Sequence, residues 1–468
     1  MTPYPEYKAT NLPWLPQIPA HWETRRAKAL FRLVTEPAPE NNTEELLSVY
    51  THIGVRPRKD LEAKGNRAST TDGYWYVKKG DIICNKLLAW MGAIGVSEFE
   101  GVTSPAYDIF RKRTENIYPQ YYHYLFRTPL FHSVFRAYSR GIMDMRLRLY
   151  YDQFGTIIIP YPNQAEQKQI VRYLDSMTAK INKLIRAKKK QIALLQEQKQ
   201  AIINQAVSKD LNPNAEMKDS GIDWLGQIPA HWDVKPLKRV CKVNASVSHL
   251  LREFSDDSLV TFLPMEAISV DGKIDCSQKQ PLKNVKSGFS SFAVNDVVVA
   301  KITPCFENGK GACLDALDTA IGYGTTELIV LRGFKNEINQ QFLYQVTKIT
   351  SFRKNGAEVM TGSAGQKRVP ANFIANFTCG IPPLEEQNAI VQYLAKQNAL
   401  FEKTLNGIKK EIEVILEYKN SLIASVVTGQ VDVRNIQVED FDPADLISET
   451  DDNPAEDDDQ LQEESEVE

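Results

Sequence analysis

The chain contains the same nine-residue phrase twice. Trp14-Leu-Pro-Gln-Ile-Pro-Ala-His-Trp22 returns as Trp224-Leu-Gly-Gln-Ile-Pro-Ala-His-Trp232, identical at eight of nine positions and displaced by 210 residues. A second echo follows at a displacement of 220, where Glu166-Gln167, Ile170-Val171 and Tyr173-Leu174 match Glu386-Gln387, Ile390-Val391 and Tyr393-Leu394. Each half therefore begins and ends alike. The residues between the markers are far less similar, so one chain presents two related modules with different faces on a common frame.

The intervening stretches mix strand and helix signals. Leu46-Leu-Ser-Val-Tyr50 and Asp81-Ile-Ile-Cys84 read as short strands with Lys79-Gly-Asp81 as a turn, and Tyr121 to Phe135 reads as helix broken by Pro129. In the second half Val260 to Leu263 and Asp296 to Ala300 are strand candidates, and Gln340 to Phe352 a helical one. Asp81-Ile-Ile-Cys-Asn-Lys86 lines up with Asp296-Val-Val-Val-Ala-Lys301, and Arg111 with Arg332.

Each module then runs into a long apolar-striped segment. Residues 164–208 contain no Gly or Pro, and Ile170, Leu174, Met177, Ile181, Ile185, Ile192, Leu195 and Ile202 recur mostly at steps of three, four or seven. Ile390, Leu394, Phe401, Leu405, Ile408, Ile412, Ile415, Leu422 and Val426 repeat the pattern. The partner of matching length and period is the other copy, so an antiparallel two-helix coiled coil is expected, a rod of roughly 65–70 Å at ~1.5 Å per residue. Packing of each helix on its own module, or homodimerisation, would also bury the stripe. Asn212-Pro213 is expected to end the first helix.

The expected fold is thus α+β: two tandem α/β domains separated by the coiled coil and related by a pseudo-two-fold internal repeat. Its segments are 1–22, the repeated opening; 23–162, the first module; 163–209, the first helix; 210–232, connector and repeated opening; 233–383, the second module; 384–429, the second helix; and 430–468, an acidic tail.

The charge is polarised. Residues 439–468 hold fifteen Asp or Glu and no Lys or Arg, which leaves 56 cations against 44 carboxylates, a net of +12, on the other 438 residues. A basic body is the footprint of a protein that neutralises phosphates, and a tail this poor in apolar residues is expected to be disordered. Such a tail is either a solvating extension or a competitor for the basic face. The six cysteines form no CxxC pair, and no histidine stands at ligand spacing beside them, so they read as reduced packing thiols. No early segment resembles a signal peptide and no run reaches the length of a membrane span, so a cytoplasmic protein without membrane contact is expected.

No catalytic signature survives inspection. Asn308-Gly-Lys-Gly311 lacks the first glycine and the closing hydroxyl of a phosphate loop, and no Asn-Pro-Pro-aromatic tetrapeptide is present. Glu166-Gln-Lys168 and Glu197-Gln-Lys199 resemble the end of a nuclease metal motif, but both fall on the rod and read as solvated helix-face charges. His21 and His231 read as capping or packing residues. What remains are two polar, basic loops. Residues 360–368 offer Ser363, Gln366, Lys367 and Arg368, and the counterpart 139–148 offers Arg146 and Arg148. Such side chains can bond base edges and phosphates of DNA, although the same composition suits an ordinary surface turn.

The paired nine-residue phrases, the paired Glu-Gln-x-x-Ile-Val-x-Tyr-Leu helix starts, Lys86-Leu-Leu-Ala-Trp-Met-Gly92 with Ser104-Pro-Ala-Tyr107, and Lys301-Ile-Thr-Pro304 with Asn308-Gly-Lys310 and Thr325-Thr-Glu327 resemble the specificity subunit of type I restriction-modification enzymes up to about Gly429. The resemblance implies a non-catalytic DNA-reading subunit with two target recognition domains, each reading one half of a split, asymmetric sequence, in a bacterium or archaeon. It adds Lys86, Lys301, Thr303, Asn308 and Lys310 to the candidate DNA contacts. It also implies double-stranded DNA, two modification subunits and restriction subunits as partners. S-adenosylmethionine, ATP and Mg would belong to those partners and no cofactor to this chain. A nuclease or methyltransferase in its own right, or a coiled-coil scaffold without DNA contact, are the competing classes.

Overall fold

A computed structural model describes residues 2–51, 53–60, 71–142, 146–363 and 365–446. It divides into two compact units, Met1–Lys190 with Ile408–Glu468, and Gln191–Gly407. Each unit takes part of both long helices, Gln164–Lys209 and Leu384–Val427, which the sequence had set apart as connecting segments.

The two units share a frame strand for strand. In the first, an antiparallel sheet runs in the order Phe31–Val34, Tyr107–Lys112, Ile82–Asn85, Ile94–Val96. In the second the order is Cys241–Val243, Leu328–Gly333, Val297–Ala300, Gly311–Cys313. Arg111 donates to both oxygens of Asp81 at 2.8 and 2.7 Å, and Arg332 to both of Asp296 at 2.7 and 2.7 Å, so the same bidentate fork pins each sheet. Each unit also pairs a strand just after its nine-residue phrase with one just before its long helix: Glu23–Arg26 with Ile158–Tyr161, and Asp233–Pro236 with Thr378–Ile381. The units differ in what they add. The first carries Leu47–Tyr50 paired with Gly54–Pro57 and Trp75–Val77 with Gly101–Thr103, whereas the second adds a separate four-stranded sheet with a parallel pair, Leu259–Leu263 against Ile321–Gly324.

Within each unit the nine-residue phrase meets the Glu-Gln echo. Trp22 is fully buried and its Nε1 donates to Glu166 Oε1 at 2.9 Å, while His21 Nε2 lies 2.9 Å from Glu166 Oε2 and the Tyr4 hydroxyl donates to Oε1 at 2.7 Å. In the second unit Trp232 Nε1 donates to Glu386 at 2.7 Å and His231 Nε2 lies 2.8 Å from its other oxygen. The neighbouring amide closes the joint: Gln167 accepts from Tyr118 N and donates to Pro162 O, and Gln387 accepts from Asn339 N and donates to Pro382 O. Burying each indole contributes about 4–6 kcal/mol of transfer free energy before entropy is counted. The repeated residues are therefore the joint between module and helix. Glu166, expected on a solvated face, is 3% exposed because the nine-residue phrase supplies it with donors; Glu197 is exposed as expected.

Two further expectations are corrected. The helix drawn over Gln340 to Phe352 is two, Gln340–Lys348 and Thr350–Glu358, broken at an extended Ile349. The break is held by side chains of the first long helix, Gln200 Nε2 donating to Lys348 O at 2.9 Å and Asn204 Oδ1 accepting from Thr350 N at 2.9 Å. The first long helix runs to Lys209, with Asp210 in the left-handed region at φ 71° and Asn212-Pro213 just beyond it. The tail is not wholly free of structure. Residues 433–446 lie along the first long helix, with Gln169 donating to Val433 O and Ile436 O, Ser176 to Glu439 O, and Asn182 to Asp445 O and Leu446 O, and with Lys180–Glu439 and Arg186–Asp445 ion pairs. Its backbone carbonyls find polar partners on the helix, which composition does not reveal. Residues 447–468 lie outside the described residues.

In the first unit the long helices run antiparallel, with Lys188 paired to Glu411 at 2.6 Å and Lys419 donating to Asn182 at 3.0 Å. Ile170, Leu174, Ile181 and Ile185 bury beside Leu422, Val426 and Val427 in one core. In the second, Ile203, Ala206 and Val207 share a core with Ile390 and Leu394. The second helix ends at Val427, and just beyond it Gly429 takes a φ of 77°, where a Cβ would come within 2.4 Å of Pro19. Cys84, Cys241, Cys313 and Cys379 are buried free thiols, and Cys276 and Cys305 are free and partly exposed. No helix among the described residues is long and apolar enough to cross a membrane.

Candidate nucleic-acid interface

The two basic loops are the same hairpin built twice. In the first unit Arg140 and Arg148 exchange backbone hydrogen bonds at 3.0 and 2.9 Å, and Leu149 N donates to Lys86 O at 2.8 Å. In the second, Thr361 and Arg368 exchange bonds at 3.1 and 2.8 Å, and Val369 N donates to Lys301 O at 2.8 Å. Arg148 thus answers Arg368, and Lys86 answers Lys301. The shared frame brings the candidates of each unit to one hairpin and the strand end beneath it.

Within the second unit the candidates separate by role. Ser363, Gln366 and Lys367 are exposed at the hairpin tip, where Gly365 takes φ 80°. Thr303 is instead the anchor of that hairpin: its hydroxyl accepts from Lys367 N at 3.0 Å and donates to Gly365 O at 3.1 Å. Arg368 is held by Glu327, with Nε 3.1 and 3.0 Å from the two carboxylate oxygens and Nη2 2.9 Å from Oε1, while Nη1 donates to Gln366 O. Arg368, with Lys301 nearby, keeps the Glu327 carboxyl below the usual range. Asn308 is exposed and Lys310 half-buried on a turn through Gly309 at φ 70°. That turn is fastened by Lys348, which donates to Gly309 O at 2.8 Å and Val270 O at 2.7 Å and whose ammonium burial pushes down to about 8.

In the first unit Arg146 is exposed and Arg148 half-buried, and the tip residues 143–145 lie outside the described residues. Lys86 is turned inward, donating to Pro105 O at 3.0 Å and lying 3.6 Å from Asp108, whose carboxyl burial raises despite that lysine.

Glu327 and Lys348 were not among the candidates. Glu327 stood inside a quoted phrase, but only the folded hairpin shows that it meets Arg368, 41 residues on. Lys348 carries no local signal at all. Among the described residues no cluster of His, Cys, Asp or Glu could hold a metal ion.

Comparison with known proteins decides what the frame is. The model of the type I restriction modification DNA specificity domain matches twice, over residues 19–194 and 229–414. The chain belongs to that family. The two matches coincide with the two copies of the frame, so the chain carries the specificity domain in tandem, with mixed α/β structure in each. It is 33% identical over 243 residues, 51% of this chain, to the type I restriction enzyme EcoAI specificity subunit of Escherichia coli, and 25% identical over 441 residues to the MjaVIII specificity subunit of Methanocaldococcus jannaschii, covering 90% of this chain and 95% of that one. The matched stretch spans only 39% of the EcoAI subunit and 34% of the EcoEI subunit. A solved chain from work on complex assembly and conformational transition of the type I R-M system shares the fold at a TM-score of 0.62 and 14% identity, over 88% of this chain and 99% of that one.

Proposed function

We propose that this chain is the non-catalytic DNA sequence-recognition subunit of a type I restriction-modification complex, each unit reading one half of a split, asymmetric target. The observation that carries the reading is the shared frame with unlike additions: the same hairpin rests on the same sheet in both units, while its tip residues and the flanking strands differ. A common scaffold with two different reading surfaces suits two different half-sites. In the second unit Gln366, Lys367 and Ser363 would meet the duplex, since an amide and a cation at an exposed tip can bond base edges in the major groove and a hydroxyl can bond phosphate. In the first, Arg146 and Arg148 would do so.

The long helices are taken as an antiparallel coiled coil that fixes the spacing between the half-sites. The partners proposed are two modification subunits, docking on the repeated frame, and restriction subunits, all in the cytoplasm. S-adenosylmethionine, ATP and Mg would be bound by those partners. The test uses a chain in which residues 23–160 are replaced by the same region of a relative. Supplied with a modification subunit, it should methylate a target with one half-site changed and the other retained; a change in both, or methyl transfer by the isolated chain, would end the proposal.

A further inference from the structure

A pocket of about 460 Å³ opens in the second unit beside the hairpin, where Ser246, Ser290, Ser291, Thr361, Lys301 and Arg368 line it together with apolar residues such as Leu328 and Val369. Among the described residues no aromatic side chain lines it, so they offer no stacking face of the kind on which proteins hold an unpaired base. Its polar lining is mostly hydroxyls and cations, the groups that bond phosphate oxygens.

The charges are arranged for an anion. Glu327 and the Gln366 carbonyl engage three of the five N–H groups of Arg368, which leaves its guanidinium oriented with two donors in hand. Among the described residues no hydrogen bond or ion pair engages the Lys301 ammonium. Two cations therefore face one carboxylate. The Ser246 wall is itself fastened, because Arg332, already locked on Asp296, donates to Ser246 O at 3.0 Å.

The first unit lacks this arrangement although its frame is the same. Arg111 there reaches Glu36 at 2.7 Å, so a carboxylate stands where the second unit has Ser246. Ala106, whose backbone N–H donates to the Ser104 hydroxyl as that of Glu327 donates to the Thr325 hydroxyl, stands where the second unit has Glu327, and Lys86 is drawn to Asp108.

We propose that this pocket is a phosphate seat: it holds one backbone phosphate of bound DNA between Lys301 and the free edge of Arg368, and Glu327 is the positioning residue that aims that arginine. The seat rests on the DNA-reading function proposed above. It fixes register in one half-site without contributing sequence preference, whereas the first unit grips its half-site without it.

The test is salt-dependent binding of the full chain, assembled with its modification subunit, to a duplex bearing the methylation-mapped target and to a scrambled duplex. Lys301→Ala should weaken both duplexes by the same factor and lower the slope of log K against log salt by about 0.9, the signature of one lost phosphate contact. Lys301→Arg should restore the slope. A melting curve unchanged by Lys301→Ala excludes misfolding as the cause. An unchanged slope with wild-type binding intact overturns the seat alone, and so does a loss confined to the mapped target, which would make Lys301 a base reader. Salt-insensitive or absent binding by the wild-type complex overturns the DNA-reading function and the seat with it.

Discussion

Replacing Glu166 with Ala should destabilise the first unit far more than Glu386→Ala destabilises the second, although the two residues are equivalent in the repeat. Glu166 accepts from Tyr4, His21 and Trp22 at 2.7, 2.9 and 2.9 Å, and its side chain is 2% exposed. Its loss strands two buried donors, the Tyr4 hydroxyl and the Trp22 indole, each costing about 1–3 kcal/mol, so about 3–5 kcal/mol is expected in all. Among the described residues Glu386 has only His231 and Trp232, its side chain is 20% exposed and that of His231 51% exposed, so water can replace what is lost and the cost should be about 1–2 kcal/mol. A chain of two units does not unfold as one two-state transition. The assay is therefore amide hydrogen exchange, read on Glu23–Arg26 and Ile158–Tyr161 in one unit and on Asp233–Pro236 and Thr378–Ile381 in the other. A gap of about 2 kcal/mol corresponds to exchange accelerated roughly 30-fold more in the first unit. Glu166→Gln, which keeps one acceptor oxygen, should fall between wild type and Ala. Equal losses, or a greater loss in the second unit, would refute the reasoning that the carboxylate is the hub of the joint.

Deleting residues 430–468 should lower the melting temperature of the chain, because it uncovers Gln169, Ser176 and Asn182. His123 accepts from Val96 N at 3.2 Å and burial pushes its pKa down to about 3, so the unfolded chain binds the extra proton below about 6.5. Its contribution is complete above that pH and lost as pH falls, about 2 kcal/mol by pH 5, and urea unfolding at the two pH values should show this loss diminished in His123→Asn. Inserting four residues into both long helices, after Lys190 and after Gly407, should lengthen the gap in the methylated target by about one or two base pairs, since four residues advance a helix by ~6 Å and a base-pair step is ~3.4 Å. An unchanged gap in an active complex would mean that the helices do not set the spacing.

Much of this fold is written locally. Two copies of one phrase, the stripe from Ile170 to Ile202 and the strand runs at Leu47–Tyr50 and Val297–Ala300 follow from periodicity and repetition, both properties of neighbouring residues. What escaped depends on partners distant in the chain. Glu166 reads as a helix-face charge until Trp22, 144 residues away, donates to it, and the break at Ile349 needs Gln200 and Asn204 from another element. The strap 433–446 has the composition of a disordered tail and is held through its carbonyls, which composition does not encode. At the hairpins the residue types were legible and their partners were not: Thr303 anchors the loop through Lys367 N, and Arg368 is oriented by Glu327, 41 residues away in the chain.

The central claim is that two unlike surfaces on one repeated frame read two unlike half-sites. Methylation-sensitive sequencing of a genome carrying this chain and its modification subunit tests it most directly. The expected result is a single asymmetric motif of two short defined blocks separated by an undefined gap of constant length. A continuous or palindromic motif, or methylation without sequence preference, would contradict it.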